Sequence, residues 1–196
     1  MSKVALFASG TGTNAQKIIE YFQSHPSIKC VLLISNKKEA PALAMAQSYG
    51  LETKIIKRDA FYNSQELLKE LQSKDIDFLV LAGFLWLVPS YLTDAYPNKI
   101  VNIHPALLPK YGGKGMYGMN VHRAVKAKQE KESGITINYV NEHYDEGAII
   151  FQAACKLEDD DSPEQIAKKV QKLEHQYFAQ VIESVIKEQA NKEEHP

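Results

Sequence analysis

The sequence predicts an α/β fold, a mostly parallel sheet flanked by helices, with an antiparallel excursion in the C-terminal half. Three observations lead there. Short apolar runs alternate with helical patterns through the front half, the mark of parallel strands covered on both faces. A glycine turn follows the first run and opens the first helix. Two later apolar runs are joined by a short polar turn instead of a helix, which suits antiparallel neighbours.

Taken in order, residues 4–8 form a strand and 15–22 a helix with Ile18, Ile19 and Phe22 on one face. Residues 30–35 are a second strand, and the helix over 42–49 stops at Gly50. A strand at 53–56, a helix at 64–72 and a continuous apolar strand at 78–82 follow. Residues 100–103 read as a further buried strand ending in His104-Pro105. After a glycine-rich stretch and a helix near 121–127, strands at 135–140 and 148–155 flank a turn with Asp145 and Gly147. Ser162-Pro163-Glu164-Gln165 has the form of a capping box with proline at the first helical position. Ile166, Val170, Leu173, Tyr177, Val181 and Val185 then repeat at helical spacing. Residues 1–190 are expected to make a single domain, its halves meeting near residue 100, and 191–196 a frayed tail.

With 44% hydrophobic against 24% charged residues in 196, a packed core needs no staples. The 23 Lys and Arg nearly cancel the 24 Asp and Glu, which argues against a nucleic-acid partner but leaves room for a local phosphate seat. Cys30 and Cys155 lie in apolar runs far apart and read as reduced core thiols. The N-terminal apolar run is too short for a signal peptide, and no stretch can span a bilayer. A cytoplasmic protein with no membrane partner is expected.

Gly10-Thr11-Gly12-Thr13-Asn14 sits where a strand meets a helix. Unpaired N–H groups and the positive dipole end make such a turn an anion seat, and glycine lets the backbone approach a phosphate. With Ala15 it satisfies the permissive dinucleotide pattern, but the second strand ends in Ser35-Asn36-Lys37-Lys38 without the carboxylate a ribose reader needs. A monophosphate seat is the better reading, and a turn needing glycine for geometry alone is the alternative.

Val101-Asn102-Ile103-His104-Pro105 carries the most chemistry. Residues two apart on a strand project together, so Asn102 and His104 emerge side by side at the carboxyl end, where open α/β sheets hold ligands. Asp145 comes from the later turn, and a carboxylate beside an imidazole favours its protonated form. Such a set suits attack on an amide-like carbon: Asn102 and charged His104 meet the growing oxyanion while protons move by acid–base steps. Asn-x-His at a strand end is also compatible with a structural role. His104, His122, His143 and Asp145 are an alternative metal set, although none has the helical spacing of a zinc hydrolase pair.

Three segments then carry a resemblance over nearly the whole chain. Ser9-Gly10-Thr11-Gly12-Thr13-Asn14 resembles the phosphate-binding loop of phosphoribosylglycinamide formyltransferases. Leu81-Ala82-Gly83-Phe84 with Val101-Asn102-Ile103-His104-Pro105-Ala106-Leu107-Leu108-Pro109-Lys110-Tyr111 resembles the core signature of the wider folate formyltransferase group. Asp145-Glu146-Gly147-Ala148-Ile149-Ile150 resembles the loop that delivers a catalytic aspartate.

The resemblance implies a Rossmann-like fold and formyl transfer from 10-formyltetrahydrofolate, a consumed cosubstrate, to the amine of glycinamide ribonucleotide in purine biosynthesis. It implies His104 as general acid, Asn102 as oxyanion partner and Asp145 as the group that holds His104 protonated. It places Gly12, Thr13, Asn14 and Glu174 on the ribonucleotide. The folate falls to Leu85, Trp86, Leu87 and Val88, to Asn102, and to Asn141, Glu142, His143, Tyr144 and Asp145. No metal is implied, and a homodimer is a candidate assembly.

Two positions depart from the pattern. Trp86 stands where many members carry arginine, leaving backbone contacts to the pterin or simple packing as its readings. The stretch from Tyr111 to His122 is longer than usual and glycine-rich, suiting a lid or an ordinary surface loop. Asn120 falls where many members have histidine, and His122 is a helix-start residue near the site.

Rival functions are another folate formyltransferase, a 10-formyltetrahydrofolate hydrolase and a non-catalytic nucleotide-binding module. The relatives acting on initiator tRNA carry an extra C-terminal domain and the hydrolases an N-terminal regulatory one, and this chain is expected to have neither.

Overall fold

The computed structural model describes residues 1–194. Seven strands form one sheet: β1 (Ser2–Phe7), β2 (Ile28–Ser35), β3 (Glu52–Ile55), β4 (Phe78–Leu81), β5 (Ile100–His104), β6 (Glu132–Tyr139) and β7 (Ile149–Lys156). Their order across the sheet is β3-β2-β1-β4-β5-β6-β7. Pairings from β3 to β5 are parallel, and β5 with β6 and β6 with β7 are antiparallel. The expected architecture is thus the observed one.

Alternation along β1 explains the layers. Val4, Leu6 and Ala8 face one apolar cluster, to which α1 (Thr13–Phe22), α2 (Pro41–Ser48), α6 (Met119–Ala127) and α7 (Pro163–Glu194) contribute. Ala5 and Phe7 face the other, with α3 (Arg58–Asn63), α4 (Glu66–Ser73) and α5 (Ser90–Ala95). Burying one Phe or Leu contributes roughly 1.5–3 kcal/mol, so a one-residue slip that exchanged the two faces would be strongly opposed.

Helix α7 begins as its sequence demands. Gln165 Oε1 accepts from the Ser162 N–H at 2.7 Å and Ser162 Oγ accepts from the Gln165 N–H at 3.2 Å, a reciprocal capping box. Ile166, Val170 and Val185 are buried on its inner stripe. The helix continues through Glu194, into the tail expected to begin at 191, and His195 and Pro196 of that tail lie outside the described residues.

Two short helices were not anticipated, and one thiol is less buried than expected. The helix expected over 64–72 is α4, and α3 precedes it unanticipated; Ser64 between them is extended and its hydroxyl donates to the Ala60 carbonyl at 2.9 Å. Helix α5, six residues after Pro89, is too short to reveal a period. Cys30 is buried and its thiol is pushed up to about 12 by burial, but Cys155, on edge strand β7, is only half-buried. Among the described residues no helix is long and apolar enough to cross a membrane.

The chain leaves β1 first toward β2 and later returns to its other side with β4. A crevice opens where the strand order reverses, outside the carboxyl ends of the strands. Ser9 laces it: its N–H donates to the Gly83 carbonyl at 3.0 Å, its hydroxyl donates to Asn36 Oδ1 at 2.6 Å, and Ser9 Oγ accepts from the Leu85 N–H at 3.0 Å.

Candidate active site

A cleft of about 280 Å³ lies over this crevice, with Asn14 and Glu174 at its walls together with Asn102, His104 and Asp145. At the start of α1, Gly12 is left-handed with φ 76°, and no side chain caps the helix. A Cβ there would sit 2.6 Å from the Ala42 Cβ, so glycine serves both the turn and the close approach of α2. The first-turn N–H groups are left for a ligand. Asn14 does not cap; its Nδ2 donates to Glu174 Oε2 at 2.9 Å, while its Oδ1 is buried without a partner. Burial raises the Glu174 carboxyl above its usual range, against the Asn14 hydrogen bond, which lowers it. Thr13 Oγ1 accepts from Gln171 Nε2 at 3.4 Å, a long contact.

At the end of β5 the register sets Asn102 opposite Asn138 and His104 opposite Thr136. Asn102 Nδ2 donates weakly to Asn138 Oδ1 at 3.3 Å and to Asp145 Oδ1 at 3.4 Å, bonds long enough for a ligand to replace. His104 is buried, with Nε2 2.7 Å from the Tyr111 carbonyl oxygen and Nδ1 3.5 Å from Asp145 Oδ2. A carbonyl only accepts, so Nε2 carries a hydrogen and donates it.

The loop that presents this carbonyl is anchored from behind. Thr136 Oγ1 donates to the Ala106 carbonyl at 2.7 Å and accepts from the Leu108 N–H at 2.9 Å. Tyr111 itself is left-handed at φ 59°, and its hydroxyl donates to Glu130 Oε1 at 2.9 Å. Asp145 is left-handed too, at φ 58°, and its Oδ2 accepts from the Gly113 N–H at 2.9 Å. Gly147 lets its loop close on β6, since a Cβ there would lie 1.7 Å from the Tyr139 carbonyl oxygen.

Burial and charge compete at His104. Burial lowers the His104 pKa below its ordinary value, while Asp145 and the Tyr111 carbonyl pull it upward; burial prevails. Asp145 lies beside the other ring nitrogen, its Oδ2 3.5 Å from Nδ1. It offers the second of two acceptors that an added proton would satisfy.

A smaller pocket of about 60 Å³ adjoins the cleft, lined by Trp86, Leu87, Val88, Val140 and His143 among others. Phe84, Asn102, Tyr144 and Asp145 line both. Of the residues the resemblance gave to folate, Leu85 faces the cleft and Trp86, Leu87, Val88 and His143 the smaller pocket. Asn141 and Glu142 line neither: Asn141 Oδ1 accepts from the His143 N–H at 3.0 Å, and Glu142 is an exposed partner of His143. Trp86 packs against Phe61, Tyr62 and Phe84, and the Arg58 guanidinium lies 5.7 Å from its ring. Packing and a pocket wall are thus the same surface at Trp86.

Three contributors escaped the sequence reading. Asn138 is a lone amide in an apolar strand, and only the register shows what it faces. Gln171 lies three residues before Glu174 on α7 and was legible by helical spacing once Glu174 was chosen. Arg58 is one of two arginines in the chain and sits beside the aromatic cluster. His122 is buried in the cleft wall, whereas Asn120 is exposed and donates to the Gly115 carbonyl at 3.1 Å. His143 is exposed and apart from His104, and among the described residues no group of His, Cys, Asp and Glu is placed to hold a metal ion.

An open α/β sheet whose crevice cleft is lined by an uncapped helix start and an Asn-His-Asp cluster has the form of a group-transfer enzyme. The formyl transferase model matches residues 2–182, and the chain belongs to that family. It is 41% identical over 193 residues to the chloroplastic phosphoribosylglycinamide formyltransferase of Arabidopsis thaliana, covering 95% of this chain and 66% of that protein. It is 31% identical to the Bacillus subtilis phosphoribosylglycinamide formyltransferase, covering 95% of each. The crystal structure of the Bacillus halodurans phosphoribosylglycinamide formyltransferase superposes with a TM-score of 0.84 at 34% identity, covering 94% of this chain and 95% of that one. The chain thus spans about two thirds of the plant relative and nearly the whole of the bacterial ones.

Proposed function

We propose that the chain transfers the formyl group of 10-formyltetrahydrofolate to the amine of glycinamide ribonucleotide, giving the N-formyl product and tetrahydrofolate in de novo purine biosynthesis. The observation that carries this is the wall shared by the two pockets: Asn102 and Asp145 line both, with His104 beside them. Acceptor and donor would meet there. The α1 start, with Asn14 and Glu174, suits the phosphoribosyl end, and a carboxyl raised by burial limits repulsion of a nearby phosphate. The smaller pocket, apolar at Trp86, Leu87, Val88 and Val140 and polar at Asn102, Asn138 and Asp145, suits a flat heterocycle with a hydrogen-bonding edge.

Amine addition to the formyl carbon puts negative charge on the formyl oxygen, which Asn102 Nδ2 meets as a donor. His104, neutral at rest with Nε2–H held by Tyr111, takes the amine proton on Nδ1. Asp145 accepts from the new N–H, and His104 then gives the proton to the departing folate nitrogen as the old C–N bond breaks. His104 is thus base first and acid second, where the sequence suggested an acid held charged. The cytoplasm and a homodimer belong to the same proposal, to be read by fractionation and sedimentation.

The test is a spectrophotometric assay of formyl-folate loss with and without the ribonucleotide. Loss that requires the ribonucleotide supports the transferase. Loss without it supports the hydrolase, and no loss in either removes the proposal.

A further inference from the structure

His122 is unused in the chemistry above, yet it is 5% exposed and lines the cleft that holds His104. It lies in the first turns of α6, which Gly118 starts without a side-chain cap. Its Nδ1 is sealed in the wall with no hydrogen-bond partner, one of few such atoms among the described residues. Nδ1 being sealed, Nε2 is the nitrogen left to face the cleft. A buried N–H without an acceptor costs about 1–3 kcal/mol, more than a buried bare lone pair on a weak acceptor, so the hydrogen belongs on Nε2. Burial, and then the neighbouring His104, hold the ring below its ordinary pKa, which keeps it neutral and a single donor.

We infer that His122 is a substrate-binding residue whose Nε2–H donates to the carbonyl oxygen of the acceptor's glycinamide arm, next to the amine that His104 deprotonates. The inference rests on the proposed transferase reading. On the transferase reading the phosphate falls to the uncapped α1 start, and a charged ammonium would be repelled by an N–H. A neutral amide oxygen is the acceptor group that the arm offers beside its nucleophile. The bond forms before the reaction and persists through it, so its loss acts on binding more than on turnover.

The test compares His122→Ala, His122→Gln and His122→Asn, each checked for an unchanged thermal melt. Gln reaches with its amide nitrogen to about where Nε2 lies, whereas Asn reaches only to the Nδ1 position. We expect the Ala and Asn variants to raise the KM and the calorimetric Kd for glycinamide ribonucleotide about tenfold, one neutral hydrogen bond's worth, with kcat within about threefold. Gln is expected to restore most of the binding. Equal behaviour of Gln and Asn, or an unchanged Kd in both Ala and Asn, overturns the inference while wild-type turnover leaves the transferase reading intact. Wild-type protein that binds no ribonucleotide removes both.

Discussion

At the scale of single residues the site turns on the contest between burial and Asp145 over the proton on His104. On the proposed mechanism the reactive base is neutral His104, whose pKa burial lowers, and activity is expected to fall as pH drops below the ordinary histidine value of 6.5. Asp145 opposes burial, and Asp145→Asn leaves only the Tyr111 carbonyl opposing it. The His104 pKa must then fall further, so the acidic limb of kcat/KM moves to lower pH, while the plateau drops about 10²-fold or more because the imidazolium loses its acceptor. A pH–rate profile of the variant checks both. A limb that moves upward, or a plateau near wild type, contradicts the role given to Asp145. The same contest explains why sequence could name Asn102, His104 and Asp145 but not the resting charge: spacing shows which groups meet, and burial is fixed by α6, α7 and the Tyr111 loop closing over them.

At the scale of elements, the turn before α1 is where sequence and structure agree most closely, because a glycine at a strand-to-helix junction has few uses. Gly12→Ala would place a methyl 2.6 Å from Ala42 in a left-handed turn, whereas at Gly10 a Cβ meets nothing within 4 Å. We expect Gly12→Ala to cost about 1–3 kcal/mol of stability and to weaken ribonucleotide binding severalfold, with Gly10→Ala closer to wild type in chemical unfolding and calorimetry. Equal effects of the two would deny the α1–α2 approach its part. The strands and long helices were legible because their apolar periods are long; α3 and α5 are six residues each and show none. Asn138 and the Thr136 anchor of the 106–108 loop were hidden for a different reason. Antiparallel register is decided by distant pairing, which no local pattern records.

Across the whole molecule, His104, His122 and His175 are all held below the ordinary value of 6.5, by burial first in each case. Below that pH the unfolded chain binds protons that the folded chain refuses, so this share of stability is complete above about 6.5 and is lost as pH falls through it. Glu20 and Glu183, lowered to about 2 by their hydrogen bonds to Lys17 and Lys187 first, lose their contribution only below their ordinary 4.5. Glu174, raised by burial, works in the opposite direction to both groups. The urea midpoint is therefore expected to be lower at pH 5.5 than at 7.5. His175→Gln, whose ring Nε2 is buried without a partner away from the reacting cluster, should shrink that difference. A midpoint that is flat or rises on acidification contradicts the account.

The central claim is that donor and acceptor meet at the wall shared by the two pockets and that the formyl carbon passes directly between them. The most direct measurement is carbon NMR of a single turnover with carbon-13 in the formyl group of 10-formyltetrahydrofolate and an equimolar amount of glycinamide ribonucleotide. Label appearing as an N-formyl resonance on the ribonucleotide is the predicted result. Label appearing as free formate, at the same rate with or without ribonucleotide, would contradict it.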